Sequence, residues 1–239
     1  MSVHPVPATS AGDGANEFAG FVVRQPLAGA ILDAPQGYVN PCSLQEGDFL
    51  LSLALDPISC CIATLGTSFG SSHCGSIIRM PDGKLYVAES RQGFFSVFEH
   101  NGVSGVVATP LGQFLSVHIV NTAYRPDPPL TQQQLVKMRE AFNGKLGQPY
   151  RLNALELCNA GFGCSLCPIP SRGLFCSQLT SILYDSVGVL EPRSVCCGVG
   201  CLWGDMRRPT HSYRPSDMPL VIPSKRLGTM IRLPSGSEC

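Results

Sequence analysis

A thiol, an imidazole and a carboxylate each interrupt an apolar run in this chain: Cys176 in LFCSQLTSILYDSVG, His73 in SHCGSII and Glu89 in LYVAES. Together they are the parts of an activated cysteine nucleophile. A free thiol, with a pKa of about 8.5, is only slightly ionised at neutral pH, and a neighbouring imidazolium or a helix N-terminus lowers that value. The elements that must bring the three groups together are readable locally. Ile77 and Ile78 after His73, and Leu85 and Val87 before Glu89, predict two strands joined at the tight-turn signal Pro81-Asp82-Gly83. A hairpin turning about Asp82-Gly83 sets Ser76 opposite Glu89 and His73 a little beyond it. The imidazole and the carboxylate then lie on adjacent antiparallel strands.

From Cys176 onward, Leu179, Ile182, Leu183 and Val187 recur at helical spacing, and Gly188 is a C-terminal stop. Ser171-Arg172-Gly173 before it is loop-like, so Cys176 falls in the first turn of a helix. There the unsatisfied amides and the positive end of the macrodipole stabilise a thiolate, and the same amides can hold an oxyanion. Each residue alone has a plainer reading. Cys176 could be a core cysteine, His73 a hydrogen-bonded strand-end histidine, and Glu89 an exposed charge.

The residues around the three resemble a known family, the permuted papain-like thiol hydrolases of the YiiX and YaeF type, relatives of the NlpC/P60 cysteine peptidases. The resemblance runs from about residue 44 to 232. It rests on Glu46-Gly47-Asp48-Phe49-Leu50, Ser72-His73-Cys74-Gly75, Asp82 to Glu89, Gly147-Gln148-Pro149-Tyr150, Phe175-Cys176-Ser177-Gln178-Leu179 and Tyr213-Arg214-Pro215-Ser216-Asp217-Met218, in that order. It implies an α+β, papain-like fold in which an antiparallel, partly barrel-like sheet packs on the cysteine helix. It also implies Cys176 as nucleophile, His73 as base and then acid, and Glu89 as the group that orients the imidazole, with Ser177, Tyr150 and Asp48 as oxyanion or substrate-binding candidates and no metal or cofactor. The substrate it implies is a peptide, an amide or an acyl lipid. The chain departs from the pattern at Gln178, where a glutamate is common, at Arg151, where an aspartate is frequent, and in a Cys-rich insertion around 152–172.

Composition narrows the alternatives. Charged residues are 14% of 239 and the formal net charge is zero, which argues against a nucleic-acid binder. No apolar stretch approaches the roughly 20 residues of a membrane span, and the N-terminus lacks the pattern of a signal peptide, so the expected compartment is cytoplasmic. That compartment favours reduced thiols for the 12 cysteines. Two groups, Cys158, Cys164 and Cys167 and then Cys196, Cys197 and Cys201, carry the competing reading of a non-catalytic binding or structural module stapled by zinc.

The remaining elements follow from pattern. Residues 1 to 40 predict a poorly structured lead-in, with one extra strand at Val22-Val23, and 41 to 239 a single permuted domain. Ile58 to Leu65 predicts a short helix, Phe94 to Phe98 and Gly105 to Val107 extended chain, Phe114 to Asn121 a strand, and Met218 to Leu233 a closing strand. Phe94, Phe95 and Phe98 read as strand packing, with the lining of an acyl groove as the alternative. Thr131 and Gln134 form a capping box for a helix with the apolar stripe Leu135, Met138 and Phe142, ended by Gly144.

Overall fold

The computed structural model of the chain describes residues 17–18, 21–22, 37–53, 71–92, 104–150, 174–191, 213 and 215–231. The chain divides into two units, Met1–Ala34 and Pro35–Cys239. In the first, the short strands β1 (Glu17–Phe18) and β2 (Phe21–Val22) pair antiparallel. The expected segments 58–65 and 94–98 and the two cysteine groups lie outside the described residues.

The second unit is α+β. Its strands β3 (Phe49–Leu53), β4 (His73–Arg79), β5 (Leu85–Arg91), β6 (Gly105–Pro110), β7 (Val120–Pro126) and β8 (Ser224–Ile231) form an open antiparallel sheet in the order β6-β5-β4-β3-β7-β8. Its described α-helices are α1 (Leu111–Val117), α2 (Gln132–Asn143), α3 (Cys176–Ser186) and α4 (Met218–Val221). Both edges of the sheet are occupied by neighbouring chain, which removes the exposed ladder an edge strand otherwise presents. Beside β8, Val39 N–H donates to Thr229 O at 3.2 Å and Thr229 N–H to Gly37 O at 2.6 Å. Beside β6, Val106 N–H donates to Gln148 O at 2.8 Å.

Period-2 alternation sorts the strand side chains onto two faces. Phe49, Leu51, Cys74, Ile78, Ala88 and Val106 pack with Met138 and Phe142 of α2 and Leu179, Leu183 and Tyr184 of α3. Leu50, Ile77, Val87, Ala123 and Met230 pack with Leu111, Phe114 and Leu115 of α1. The two long helices are joined by polar as well as apolar contacts. The Thr131 capping box is present, and Gln134 Nε2 at its centre also donates to Val187 O at 3.1 Å, just past the end of α3. Gly188, at φ +71°, ends α3 as the sequence indicates.

Several expectations are corrected. Leu111–Val117 is a helix, and the strand begins only at Val120; Leu111, Phe114 and Leu115 sit at i, i+3 and i+4 and are all buried, so a short apolar run satisfied both periods and the helical one prevailed. The closing strand is shorter than expected, because Met218–Val221 is helical and Pro223 separates it from β8. Cys42, on an exposed turn, is disulfide-bonded, where reduced thiols were expected. Cys74 and Cys176 are free.

The hairpin is present with a different register. Ser76 pairs with Ala88, one residue short of the expected Glu89, and such a slip moves a whole set of side chains to the other face. Gly75 therefore comes opposite Glu89. A Cβ on Gly75 would overlap Val87 Cγ1, lie 3.2 Å from Ala88 O and come within 3.5 Å of Glu89 Cβ, so only glycine lets β4 approach β5 this closely. Gly75→Ala is expected to destabilise the protein by about 1–3 kcal/mol. Calorimetry should show this as a lowered Tm, and an unchanged Tm would contradict the close approach.

Candidate active site

Cys176 is the first residue of α3, and the chain reaching it is held from several directions. Ser90 Oγ donates to Leu174 O at 2.5 Å, Leu174 N–H donates to Pro149 O at 3.1 Å, and Tyr150 forms a bridge with Leu174. Phe175 N–H donates to Gln178 Oε1 at 3.2 Å, which ties the helix entrance to its own first turn. The first-turn amides of such a helix have no intrahelical acceptor. Cys176 is only 3% exposed.

His73 is the first residue of β4, on the strand face opposite Cys74, and its ring meets both partners. Nε2 lies 2.6 Å from Glu89 Oε2; a carboxylate accepts, so Nε2 carries the proton and Nδ1 is left for the sulfur. His73 and Cys176 lie close enough that each shifts the other's ionisation. The structure thus brings together three residues that span more than a hundred positions of sequence.

Glu89 is buried and fully engaged. Its second oxygen accepts from the Thr109 hydroxyl and faces Arg91 Nη1 at 3.7 Å. His118, in the turn between α1 and β7, stacks on His73 with ring centres 5.3 Å apart and planes 4° apart, and Phe114 lies 5.9 Å from the same ring. His118 is itself fixed by Nδ1–H donating to Phe114 O at 2.9 Å. The imidazole is therefore held in its plane by a stack and along its edge by a carboxylate.

The charges follow from this geometry. The Cys176 thiol is held well below its ordinary value, first by the hydrogen bond from the Cys74 thiol and then by the charge and hydrogen bond of His73, which together outweigh burial. Burial opposes an imidazolium at His73, but the Cys176 charge and hydrogen bond, followed by those of Glu89, push its pKa up to about 10. Burial likewise opposes ionisation of Glu89 and is overcome by the His73 hydrogen bond and charge, the His118 charge and the Thr109 hydroxyl, so its carboxyl stays below the usual range. Cys74 is raised well above the ordinary thiol, by burial first and then by its hydrogen bond to Cys176 and that sulfur's charge. These directions favour a thiolate–imidazolium pair with a protonated thiol beside it.

The three other sequence candidates are placed differently. The Ser177 hydroxyl is buried and donates to Tyr213 O at 2.6 Å, which ties α3 to the Tyr213–Met218 segment. Tyr150 is half-buried beside the approach to Cys176. Asp48 accepts from Arg125 Nε and Nη2, both at 2.8 Å, and from Gln45 N–H; it precedes β3, four residues from Ser52, which pairs with His73, so it lies about 13 Å along the sheet from the triad. Sequence reasoning missed Cys74, Thr109 and His118. Alternation from His73 could have pointed Cys74 at the cysteine helix; no local signal marks the other two. A cavity of about 410 Å³ between the β4–β5 turn and α2, lined by Ile78, Arg79, Met80, Val136, Arg139 and Phe142 among others, does not include the triad.

Among the described residues, no group of three or more His, Cys, Asp or Glu is placed to hold a metal ion, and no helix is long and apolar enough to cross a membrane. No protein-family model and no curated protein matches the chain. Among solved structures it is similar to the crystal structure of metalloprotein yiiX from Escherichia coli O157:H7, DUF1105, at 24% identity over 63% of this chain and 71% of that one, with a TM-score of 0.45.

Replacing Glu89 by glutamine keeps an acceptor for His73 Nε2–H but removes the charge that stabilises the imidazolium. Glu89→Gln is expected to lower the His73 pKa from about 10 and to narrow the pH range of the ion pair from its alkaline side. Titration of the His73 ring by NMR checks this. An unshifted pKa would mean that Glu89 only positions the ring.

Proposed function

We propose that the protein is a cysteine-dependent hydrolase or acyltransferase acting on an amide or ester carbonyl, with the permuted papain-like arrangement of a cysteine helix set against a histidine–glutamate strand pair. The observation that carries this reading is the Glu89–His73 hydrogen bond beside Cys176 at a helix N-terminus, where His73 and Cys176 favour each other's charged form. A carbonyl entering beside His73, whose side chain is the most exposed of the three at 13%, meets the thiolate. The first-turn amides of α3 hold the oxyanion that forms. The His73 imidazolium then protonates the leaving group and, once neutral, activates water or another acceptor to release the acyl-enzyme. The substrate class is a peptide, another amide or an acyl lipid.

A panel of activity-based probes with electrophilic carbonyls and varied acyl groups, read by mass spectrometry for the modified residue, tests the reading. Modification confined to Cys176 with a preference among acyl groups is expected. Equal modification of every accessible thiol, or none at Cys176, would refute it.

A further inference from the structure

The nucleophile has a second sulfur beside it that acyl transfer does not use. Alternation along β4 turns Cys74 away from the His73 face and toward α3. Its Sγ lies 3.5 Å from Thr180 Oγ1, and Thr180 is one helical turn beyond Cys176 on the same helix face. Cys74 and Cys176 also shift each other's ionisation, and both are free and buried in one cluster. From this juxtaposition we infer that Cys74 and Cys176 form a redox-active thiol pair that takes a hydroperoxide as oxidant and closes to a disulfide. The inference rests on the same reading of Cys176 as an ionised nucleophile and adds a second substrate class to that site.

The chemistry is complete with the groups present and the peroxide. Cys176 thiolate attacks one peroxide oxygen: an S–O bond forms, the O–O bond breaks, and the departing hydroxide takes the His73 proton to leave as water. Sulfur is oxidised to a sulfenic acid and the peroxide is reduced. The Cys74 sulfur then attacks Cys176: the S–S bond forms, the S–O bond breaks, and the hydroxide leaves as water with the Cys74 proton. Two thiols and one hydrogen peroxide give one disulfide and two waters. The electrostatics keep the steps in order. Cys74 stays protonated partly because of the Cys176 charge, and that charge disappears when the sulfenic acid forms. Hydrogen peroxide is little larger than water, so the low exposure of Cys176 does not keep it from the sulfur. Closure would silence the nucleophile reversibly and protect it from the irreversible sulfinic acid.

The test uses the full wild-type chain, so it does not depend on any variant folding. After stoichiometric hydrogen peroxide, thiols are blocked with iodoacetamide under denaturing conditions and the chain is digested without reductant and mapped by mass spectrometry. A Cys74 peptide linked to the Cys176 peptide is expected, with native labelling of Cys176 lost and then restored by dithiothreitol. In Cys74→Ser treated with several equivalents of hydrogen peroxide, the loss should become irreversible as a second peroxide oxidises the Cys176 sulfenic acid to the sulfinic acid. Wild-type Cys176 found as sulfinic acid with Cys74 alkylated, or linked to another cysteine, overturns the pair. If Cys176 is alkylated rapidly before peroxide yet no link forms, the pair alone fails. If Cys176 neither alkylates rapidly nor oxidises, the nucleophile reading fails with it.

Discussion

Cys176→Ser is expected to lower turnover of an acyl substrate by about 10⁴-fold or more, while the protein folds and still binds that substrate. The substitution exchanges one atom in a buried position, so packing around α3 barely changes. The chemistry changes far more, because the surroundings that ionise a thiol cannot ionise an alcohol many units less acidic. The His73 imidazolium owes its stability partly to the negative sulfur beside it. Without that charge, burial returns His73 toward its neutral form, so the variant loses nucleophile and proton donor together. The comparison is made by turnover on whichever acyl probe labels the wild type, with circular dichroism as the folding control. Turnover within tenfold of wild type would require another nucleophile.

His73→Ala should slow iodoacetamide modification of Cys176 at pH 6 by about 100-fold, since each unit by which the thiol pKa rises costs tenfold in thiolate at a pH below it. The direction follows from removing a positive charge and a hydrogen bond that both favour the thiolate. The Cys74 hydrogen bond remains in this variant, so the thiol should stay below an ordinary cysteine. Full restoration of ordinary thiol behaviour would assign the whole effect to His73. An unchanged rate would assign it to Cys74 and the helix terminus.

The parts of the structure that local physics determines were legible in the sequence. The capping box at Thr131 and the stripe Leu135, Met138 and Phe142 specify α2, because each signal is confined to a few adjacent residues. Gly188 and the apolar spacing after Cys176 specify α3 equally well. The turn at Asp82-Gly83 was clear, but its register was not, since one residue either way suits the turn signal and only packing of Gly75 against Val87 and Glu89 decides it. The helix at Leu111–Val117 was misread because one buried run satisfies two periods and is resolved only by its fit against Leu50, Ile77 and Val87.

The site divides in the same way. His73, Glu89 and Cys176 could be singled out as polar groups in apolar runs, but their meeting depends on contacts across more than a hundred residues, which no local pattern contains. His118 was invisible, because its position comes from the α1 helix that the sequence concealed; Phe114 on that helix supplies both its hydrogen-bond acceptor and part of the stack on His73. Cys74 was visible as a residue and overlooked as a neighbour. Its position gives a Cys176 thiolate two supports, a thiol donor from β4 and the His73 ring from the same strand one residue earlier.

The sign of the pH dependence separates the two halves of the mechanism. Thiolate is present above the lowered Cys176 pKa, and imidazolium persists up to about 10. Turnover, which needs the imidazolium to protonate the leaving group, should fall as pH rises through about 10. Alkylation needs only the sulfur and should not. The most direct test is therefore the rate of iodoacetamide modification at Cys176 in the native protein, followed residue by residue by mass spectrometry from acid to pH 9. A rate already at its plateau at neutral pH, falling only in acid, is what a thiolate–imidazolium pair predicts. A rate that climbs tenfold per pH unit through 7 and 8, as for an ordinary thiol, would contradict it.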